Sequence, residues 1–226
     1  MRQSRATSPI VRFAPLLLLA SLVWLGAASP AAARVNISIG VPSIDIGIHF
    51  PTLPALTLVP GTPVYYAPSA DANFFFYDGM YWILKDDTWY ASSWYNGPWA
   101  VVDPNIVPDF LLRVPVRYYR HPPSYFHGWA ANAPPRWGEH WGQGWEAKHT
   151  GWEHTAAHAS APRAAPVPTY QRQYTGKRYP APQQQAVLHS QHYKYQPHEP
   201  VVQQHYQQHA APQQHGHAEQ RDEGHR

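Results

Sequence analysis

Hydrophobic and polar residues alternate along the first part of the chain. At residues 35–41 and again at 44–50, an Ile, Val or Phe occupies every second position. Period-two alternation rich in β-branched side chains is typical of strands that bury one face. The pattern therefore predicts two strands within residues 34–63, and the prolines and the glycine of residues 51–63 predict an extended linker after them.

Short aromatic runs separated by turn-forming residues come next. The strand-like runs cover residues 64–66, 73–77, 80–84, 88–94 and 99–102. Asp-Gly at 78–79 predicts a two-residue hairpin turn, and residues 85–87 and 96–98 predict two further short turns. Short turns between neighbouring strands predict an antiparallel meander.

Helical patterns are few in this aromatic domain, which we place at residues 64–155. We expect one helical turn at residues 107–112 and a final edge strand at 114–119, where a proline interrupts the pairing. Trp137, Trp141 and Trp145 stand four residues apart. This spacing predicts one short helix that packs a stripe of three indoles against the sheet.

The composition changes at residue 156. From there to residue 226, Ala, Pro, Gln and His dominate, and neither the strand period nor the helix period continues. Such a segment is expected to bury too little apolar surface to offset its ordering entropy. The predicted fold class is therefore mainly β: a small antiparallel meander with one short Trp-bearing helix and a disordered C-terminal tail at residues 156–226.

The N-terminal residues predict export. Three arginines and no acid precede a Leu-rich run, which ends in small residues at Ala31–Ala33. This arrangement is typical of a secretory signal peptide, here residues 1–33, with cleavage after Ala33. The alternative is an uncleaved anchor, although a bilayer span needs about 20 apolar residues. No later segment is apolar enough to span, so we expect a periplasmic or secreted protein.

Charge and cysteine content exclude several classes of function. The net charge of +3 comes from 17 basic and 14 acidic residues, and three of the basic residues lie in the predicted signal peptide. The mature chain would then be formally neutral, which argues against a nucleic-acid binder with a dense basic patch. The chain contains no cysteine. Disulfides, thiolate metal sites and a cysteine nucleophile are thereby excluded.

Aromatic residues make up 23 of the 88 positions between 65 and 152. One interpretation is structural, because large rings can complete a small core that has no disulfides. The other is a binding surface, because successive strand residues face opposite sides and cannot all belong to one core. The candidate surface residues are Tyr81, Trp82, Trp89, Tyr90, Trp94 and Trp99. The candidate partner is a cell-envelope glycan or a protein.

Histidines of the tail suggest an alternative function. Imidazole commonly binds zinc, copper and nickel, so the tail could bind or buffer such a metal weakly. The candidate ligands are His189, His192, His205, His209, His215 and His217. A solvated tail without a specific ligand is the other interpretation. Because the ordinary histidine pKa is about 6.5, we also expect the tail to become cationic near pH 5 and to bind anionic surfaces there.

Candidate catalytic residues are limited to a few carboxylates. Asp71, Asp78, Asp86 and Asp87 occupy turn positions, where aspartate has a structural role. Two of them could form a glycosidase pair only if they converged to about 5–9 Å in a cleft. No nucleophile elbow or phosphate-binding loop is present. We therefore expect an exported, non-enzymatic interaction protein.

Four longer phrases carry a resemblance to a known protein family. They are YDGMYW at 77–82, WYASSWYNGPW at 89–99, RVPVRYYR at 113–120 and PPRWGEHWG at 134–142. In these phrases the chain resembles a family of exported proteobacterial proteins that has no established activity. The resemblance covers about residues 64–154 and implies an envelope or secreted location in a Gram-negative cell. The Trp-Gly steps are also similar to those of tryptophan-glycine repeat proteins of bacterial envelopes.

Overall fold

The structure is a computed structural model that describes residues 44–153 and 162–209. The predicted signal peptide and the first predicted strand, at 35–41, lie outside the described residues. So do His215 and His217, two of the candidate metal ligands. In the part of the chain that is described, no helix is both long and apolar enough to traverse a bilayer.

Six strands form one antiparallel sheet in which the strands follow their order in the chain. They are β1 (Thr57–Leu58), β2 (Tyr65–Tyr66), β3 (Asn73–Tyr77), β4 (Met80–Lys85), β5 (Thr88–Ser92) and β6 (Ala100–Val102). The predicted antiparallel meander is thus confirmed. The prediction missed β1, which lies inside the segment interpreted as a linker.

Two tight turns connect the three central strands. Asp78 and Gly79 have φ values of +50° and +91°, and Asp86 and Asp87 have +48° and +61°. Positive φ at both central residues gives the primed turn whose twist matches that of a hairpin. Aspartate tolerates this conformation better than most residues, which explains why these positions carry Asp and Gly. The register follows, with Tyr77 opposite Met80 and Lys85 opposite Thr88.

Two predicted strands outside the meander are wrong. Within residues 44–50, only Ile44 pairs, through an isolated bridge to Trp99. The chain turns soon afterwards, because Gly47 adopts a φ of +69° and its N–H donates to the side chain of Asp45. The predicted edge strand at 114–119 is a 3-10 helix, Val116–Tyr118, preceded by Pro115.

Five α-helices follow in the described residues. They are α1 (Asp109–Leu112), α2 (Trp137–Trp141), α3 (Gln143–Lys148), α4 (Pro182–His192) and α5 (Pro200–Gln208). Helix α1 confirms the predicted helical turn. The single predicted Trp-bearing helix is two helices, because Gly142 adopts a φ of +83° between α2 and α3. Further 3-10 turns lie at 104–106, 124–126, 169–173 and 176–178.

The indole stripe nevertheless packs as predicted. The rings of Trp137 and Trp141 stack at 4.4 Å, and those of Trp141 and Trp145 lie 5.0 Å apart. Trp137 is fully buried and contacts Trp89 of β5 at 6.1 Å. The stripe therefore packs helices α2 and α3 against the sheet.

Residues 162–209, here called the C-terminal segment, are folded, so the prediction of a disordered tail is wrong for them. Val201, Val202 and His205 of α5 are buried, as are Gln171 and Gln185. The segment packs on the sheet as well as on itself, since Trp94 contacts Tyr170 and the Tyr193 hydroxyl donates to the carbonyl oxygen of Pro166. Its composition could not reveal this, because the apolar surface that it buries belongs to distant strands.

The sheet has a hydrophobic core on each face, because alternate residues of a strand point to opposite sides. One core contains Phe75, Trp82, Trp89, residues of α1 to α3, and Val201 and Val202. The other contains Phe74, Phe76, Tyr81, Tyr95, Trp99, Ala165 and Tyr193. The C-terminal segment contributes to both cores. Aromatic residues on both faces of the strands are thus explained by packing.

Candidate functional site

The predicted aromatic binding surface is buried. Five of its six residues have between 0% and 2% of their surface exposed, namely Tyr81, Trp82, Trp89, Trp94 and Trp99. Only Tyr90 is half-buried. The prediction is wrong for those five residues because both faces of the sheet are covered.

Trp94 shows how the cover is attached. Its ring is surrounded by Tyr170, Tyr174 and Tyr179 of the C-terminal segment, with ring centroids 5.5–5.7 Å away. Its Nε1 donates a hydrogen bond to the carbonyl oxygen of Gln185 at 3.3 Å. Edge-to-face ring contacts of this kind stabilise packing beyond the area that they bury. Trp94 is therefore an anchor for the C-terminal segment.

An open cleft lies where β3 begins and β4 turns into β5. Its volume is about 570 Å³, and its polar lining includes Asp71, Asp86, Asp87, His121, Ser124 and Tyr125. We call it the acidic cleft. Three of the four turn carboxylates that the sequence offers as candidate catalytic residues thus lie in one cleft.

Strand pairing explains this convergence. The start of β3 and the end of β4 are neighbours, since Asn73 pairs with Leu84. The side chain of Asn73 is buried, accepts from the N–H of His121 at 2.8 Å and donates to its carbonyl oxygen at 2.7 Å. These two hydrogen bonds hold the loop that carries His121 against the sheet.

Histidine–carboxylate pairs line the acidic cleft and its edge. His121 Nε2 lies 2.6 Å from Asp71 Oδ1, and His140 Nε2 lies 2.7 Å from Asp87 Oδ1. The Tyr125 hydroxyl also donates to Asp87 Oδ1, at 2.8 Å, and its ring stacks on that of His140 at 3.7 Å. Burial and this hydrogen bond raise the pKa of Tyr125, so its hydroxyl remains a neutral donor. Asp87 is thereby fixed, whereas the Asp71 and Asp86 carboxylates are largely exposed.

The fourth turn carboxylate, Asp78, has a structural role. It is 2% exposed and accepts hydrogen bonds from the Tyr195 hydroxyl at 2.7 Å and from the N–H groups of His198 and Glu199 at 2.9 and 2.7 Å. All three donors belong to the C-terminal segment. A buried carboxylate with several donors is satisfied and attaches that segment to the β3–β4 turn.

Three of the predicted metal ligands border a second cleft, between α4 and α5. His189, His205 and His209 line it, and we call it the histidine cleft. His192 is exposed and lies beside Tyr170, with ring centroids 5.3 Å apart. Within residues 44–153 and 162–209, no group of three or more His, Asp or Glu side chains is arranged to hold a metal ion. Binding of zinc, copper or nickel by the tail stays a prediction.

Burial keeps two of these histidines neutral. It lowers the pKa of His189 to about 4, and burial together with the nearby His209 and His189 lowers the pKa of His205 to about 3. Both lie below the ordinary value of about 6.5. The prediction that the tail histidines become cationic near pH 5 is therefore wrong for His189 and His205.

Mild acid is expected to destabilise the fold through these histidines. Because their folded-state pKa values are lowered, the unfolded chain binds more protons below about pH 6.5, so stability is complete above that pH and is lost as the pH falls toward 4 and then 3. At pH 5.5 the loss should be about 1 kcal/mol for each histidine. Urea unfolding at pH 7.5 and 5.5 measures it. A His205→Phe variant should show a smaller pH dependence, and an unchanged dependence would contradict the assignment to His205.

Comparisons with protein-family models, with curated proteins and with solved structures found no match to this chain.

Proposed function

We propose that this is an exported, non-enzymatic binding protein of the cell envelope or the extracellular space, and that the acidic cleft holds a segment of glycan. The observation that carries the proposal is the convergence of Asp71, Asp86 and Asp87 with His121 and Tyr125 in one open cleft. The glycan contact is therefore expected at this open cleft and not at the buried aromatic residues.

The chemistry of the lining supports a glycan. Ionised carboxylates are acceptors only, and sugar hydroxyl groups are donors that can pair with them. Ile48 and Pro123, which are only half-buried, also line the cleft and offer apolar surface to the C–H faces of a sugar ring. A few polar groups on a partly apolar wall are typical of ligand-binding sites. The fixed Asp87 and the exposed Asp71 and Asp86 supply acceptors at different points of the wall.

Replacing the exposed carboxylates is expected to weaken glycan binding. In Asp71→Asn and Asp86→Asn, each loss of a charge-assisted hydrogen bond should lower the affinity about tenfold. Calorimetry with peptidoglycan and polysaccharide fragments measures this directly. Glu153 is an exposed carboxylate that does not line the cleft, so Glu153→Gln is the matched control and should bind as the unmodified protein does.

Two results would count against the proposal. Equal heats from the unmodified protein and from Asp71→Asn and Asp86→Asn would show that the glycan binds elsewhere. Release of reducing ends from the bound fragment would show that paired carboxylates hydrolyse it, as in a glycosidase, and that the protein is an enzyme.

A further inference from the structure

The histidine cleft has the features of a small-molecule site. Its volume is about 290 Å³, and it is bordered by α4, by α5 and by Ser93 and Pro98 of the loop that follows β5. It lies apart from the acidic cleft, and the two clefts share no lining residue. A ligand here is therefore independent of the proposed glycan site.

An incompletely bonded imidazole lies in the wall of this cleft. His205 is only 3% exposed, and its Nδ1 is buried without a hydrogen-bond partner. Buried polar atoms in folded proteins are nearly always paired, so each exception requires an explanation. His205 lines the cleft, so a ligand that enters and shifts this ring slightly would supply the missing partner.

The adjacent rings form flat and fixed walls. His189 and Tyr206 stack at 4.6 Å with their planes 20° apart, and Tyr193 lies 5.0 Å from His189. The Tyr206 hydroxyl donates to the carbonyl oxygen of Gly79 at 2.6 Å, and the Tyr193 hydroxyl donates to that of Pro166 at 2.7 Å. Gly79 and Pro166 do not line the cleft, so these hydrogen bonds hold both rings from outside it. Fixed flat walls favour a planar ligand, because few protein side chains have to lose conformational freedom when it binds.

The cleft carries no formal charge at neutral pH. None of the described residues that line it is Asp, Glu, Lys or Arg, and burial lowers the pKa values of its three histidines, His189, His205 and His209. A charged ligand would lose its hydration without gaining a counter-ion. We propose that the histidine cleft binds a small, neutral, planar aromatic molecule whose polar group hydrogen-bonds to the His205 imidazole.

Histidine nitrogen chemical shifts test this on the full-length protein. Phenol and indole serve as probes, because each is planar and neutral and carries one hydrogen-bond donor. Either probe should shift the ring nitrogen resonances of His205. Cyclohexanol, which is not planar, and benzylammonium, which is charged, should bind at least tenfold more weakly. Absence of a shift with both aromatic probes, or equal binding of cyclohexanol, would overturn the proposal.

Two variants separate this site from a general surface effect. His205→Phe keeps a ring in the core and removes the nitrogen atoms, and it should weaken phenol binding about tenfold or more while unfolding remains cooperative. Ser190 of α4 lines the cleft, so Ser190→Phe should abolish binding by filling it. Gln191→Phe, at an exposed neighbouring position outside the lining, is the control and should bind normally.

If His205→Phe does not fold, Ser190→Phe and Gln191→Phe still test whether the probe binds in the cleft, because both replace exposed residues. Equal binding by these two variants would place the probe elsewhere and overturn the proposal. Zinc that shifts the same nitrogen resonances, while phenol and indole leave them unchanged, would make the cleft a metal site and would also overturn it. Asp71→Asn should leave phenol binding unaltered, which keeps this result separate from the glycan test.

Discussion

A variant that ends at residue 155 is expected to lose the cooperative fold. Without the C-terminal segment, Trp94 loses its three tyrosine contacts, and Tyr81, Tyr95 and Met80 lose part of their cover. Exposing a large apolar side chain costs about 1.5–3 kcal/mol. Several such losses approach the whole stability of an ordinary domain, about 5–15 kcal/mol. Near-ultraviolet circular dichroism and urea unfolding of the truncated and complete chains measure the loss.

A peptide of residues 156–226 provides the control for this truncation. If the missing contacts cause the loss, adding the peptide to the truncated chain should restore the near-ultraviolet signal in a concentration-dependent way. A truncated chain that unfolds cooperatively, at the same urea concentration as the complete chain, would show that the sheet is stable alone. The C-terminal segment would then be an appendage.

Asp78→Asn is expected to destabilise the protein by about 4 kcal/mol, because it weakens several hydrogen bonds to a buried charged group. The carboxylate accepts from two backbone N–H groups and one tyrosine hydroxyl while almost fully buried. Hydrogen bonds to a charged group stabilise by about 1.5–3 kcal/mol each. An asparagine offers one acceptor oxygen, and its NH₂ group would face donors. Urea unfolding at pH 7.5 measures the change.

The second hairpin turn offers a matched control. Asp86 has a φ of +48°, almost the same as the +50° of Asp78, but its side chain is exposed and forms only a surface ion pair with Lys85 at 3.3 Å. Such pairs contribute about 0–1 kcal/mol. Asp86→Asn should therefore change the unfolding free energy little. A similar loss in both variants would mean that backbone conformation, and not the attachment of the C-terminal segment, explains the effect.

The central meander could be predicted because its signals are local. Asp-Gly at 78–79 fixes a primed turn within two residues, and alternation along β3 to β5 fixes which side chains share a face. The four-residue spacing of Trp137, Trp141 and Trp145 likewise predicts that a helical stripe of indoles packs against the sheet. The break at Gly142 was not predicted, because a glycine lowers helix propensity without showing whether the helix ends there.

The clefts and the folded tail could not be predicted, because their contacts are distant in sequence. His121 and Asp71 are 50 residues apart, and His140 and Asp87 are 53 apart. The sequence shows that carboxylates occupy turns, but not that the turn at Asp71 meets the turn at Asp86 and Asp87. In the tail, Gln185 and Tyr179 bond to backbone groups of the loop after β5, so residues that composition assigns to disorder have partners elsewhere in the chain.

The distance between Asp78 and its donors determines when the fold can be completed. The N–H of Glu199 lies 121 residues beyond the carboxylate that it contacts. During synthesis, the β3–β4 hairpin therefore emerges long before its partner, and the face of the sheet that carries Phe74 and Tyr81 lacks part of its cover until the C-terminal segment has been made. Closing such a long loop is slow relative to forming a hairpin. A nascent chain interrupted before residue 170 would thus leave Trp94 without its three tyrosine contacts and accessible to a chaperone.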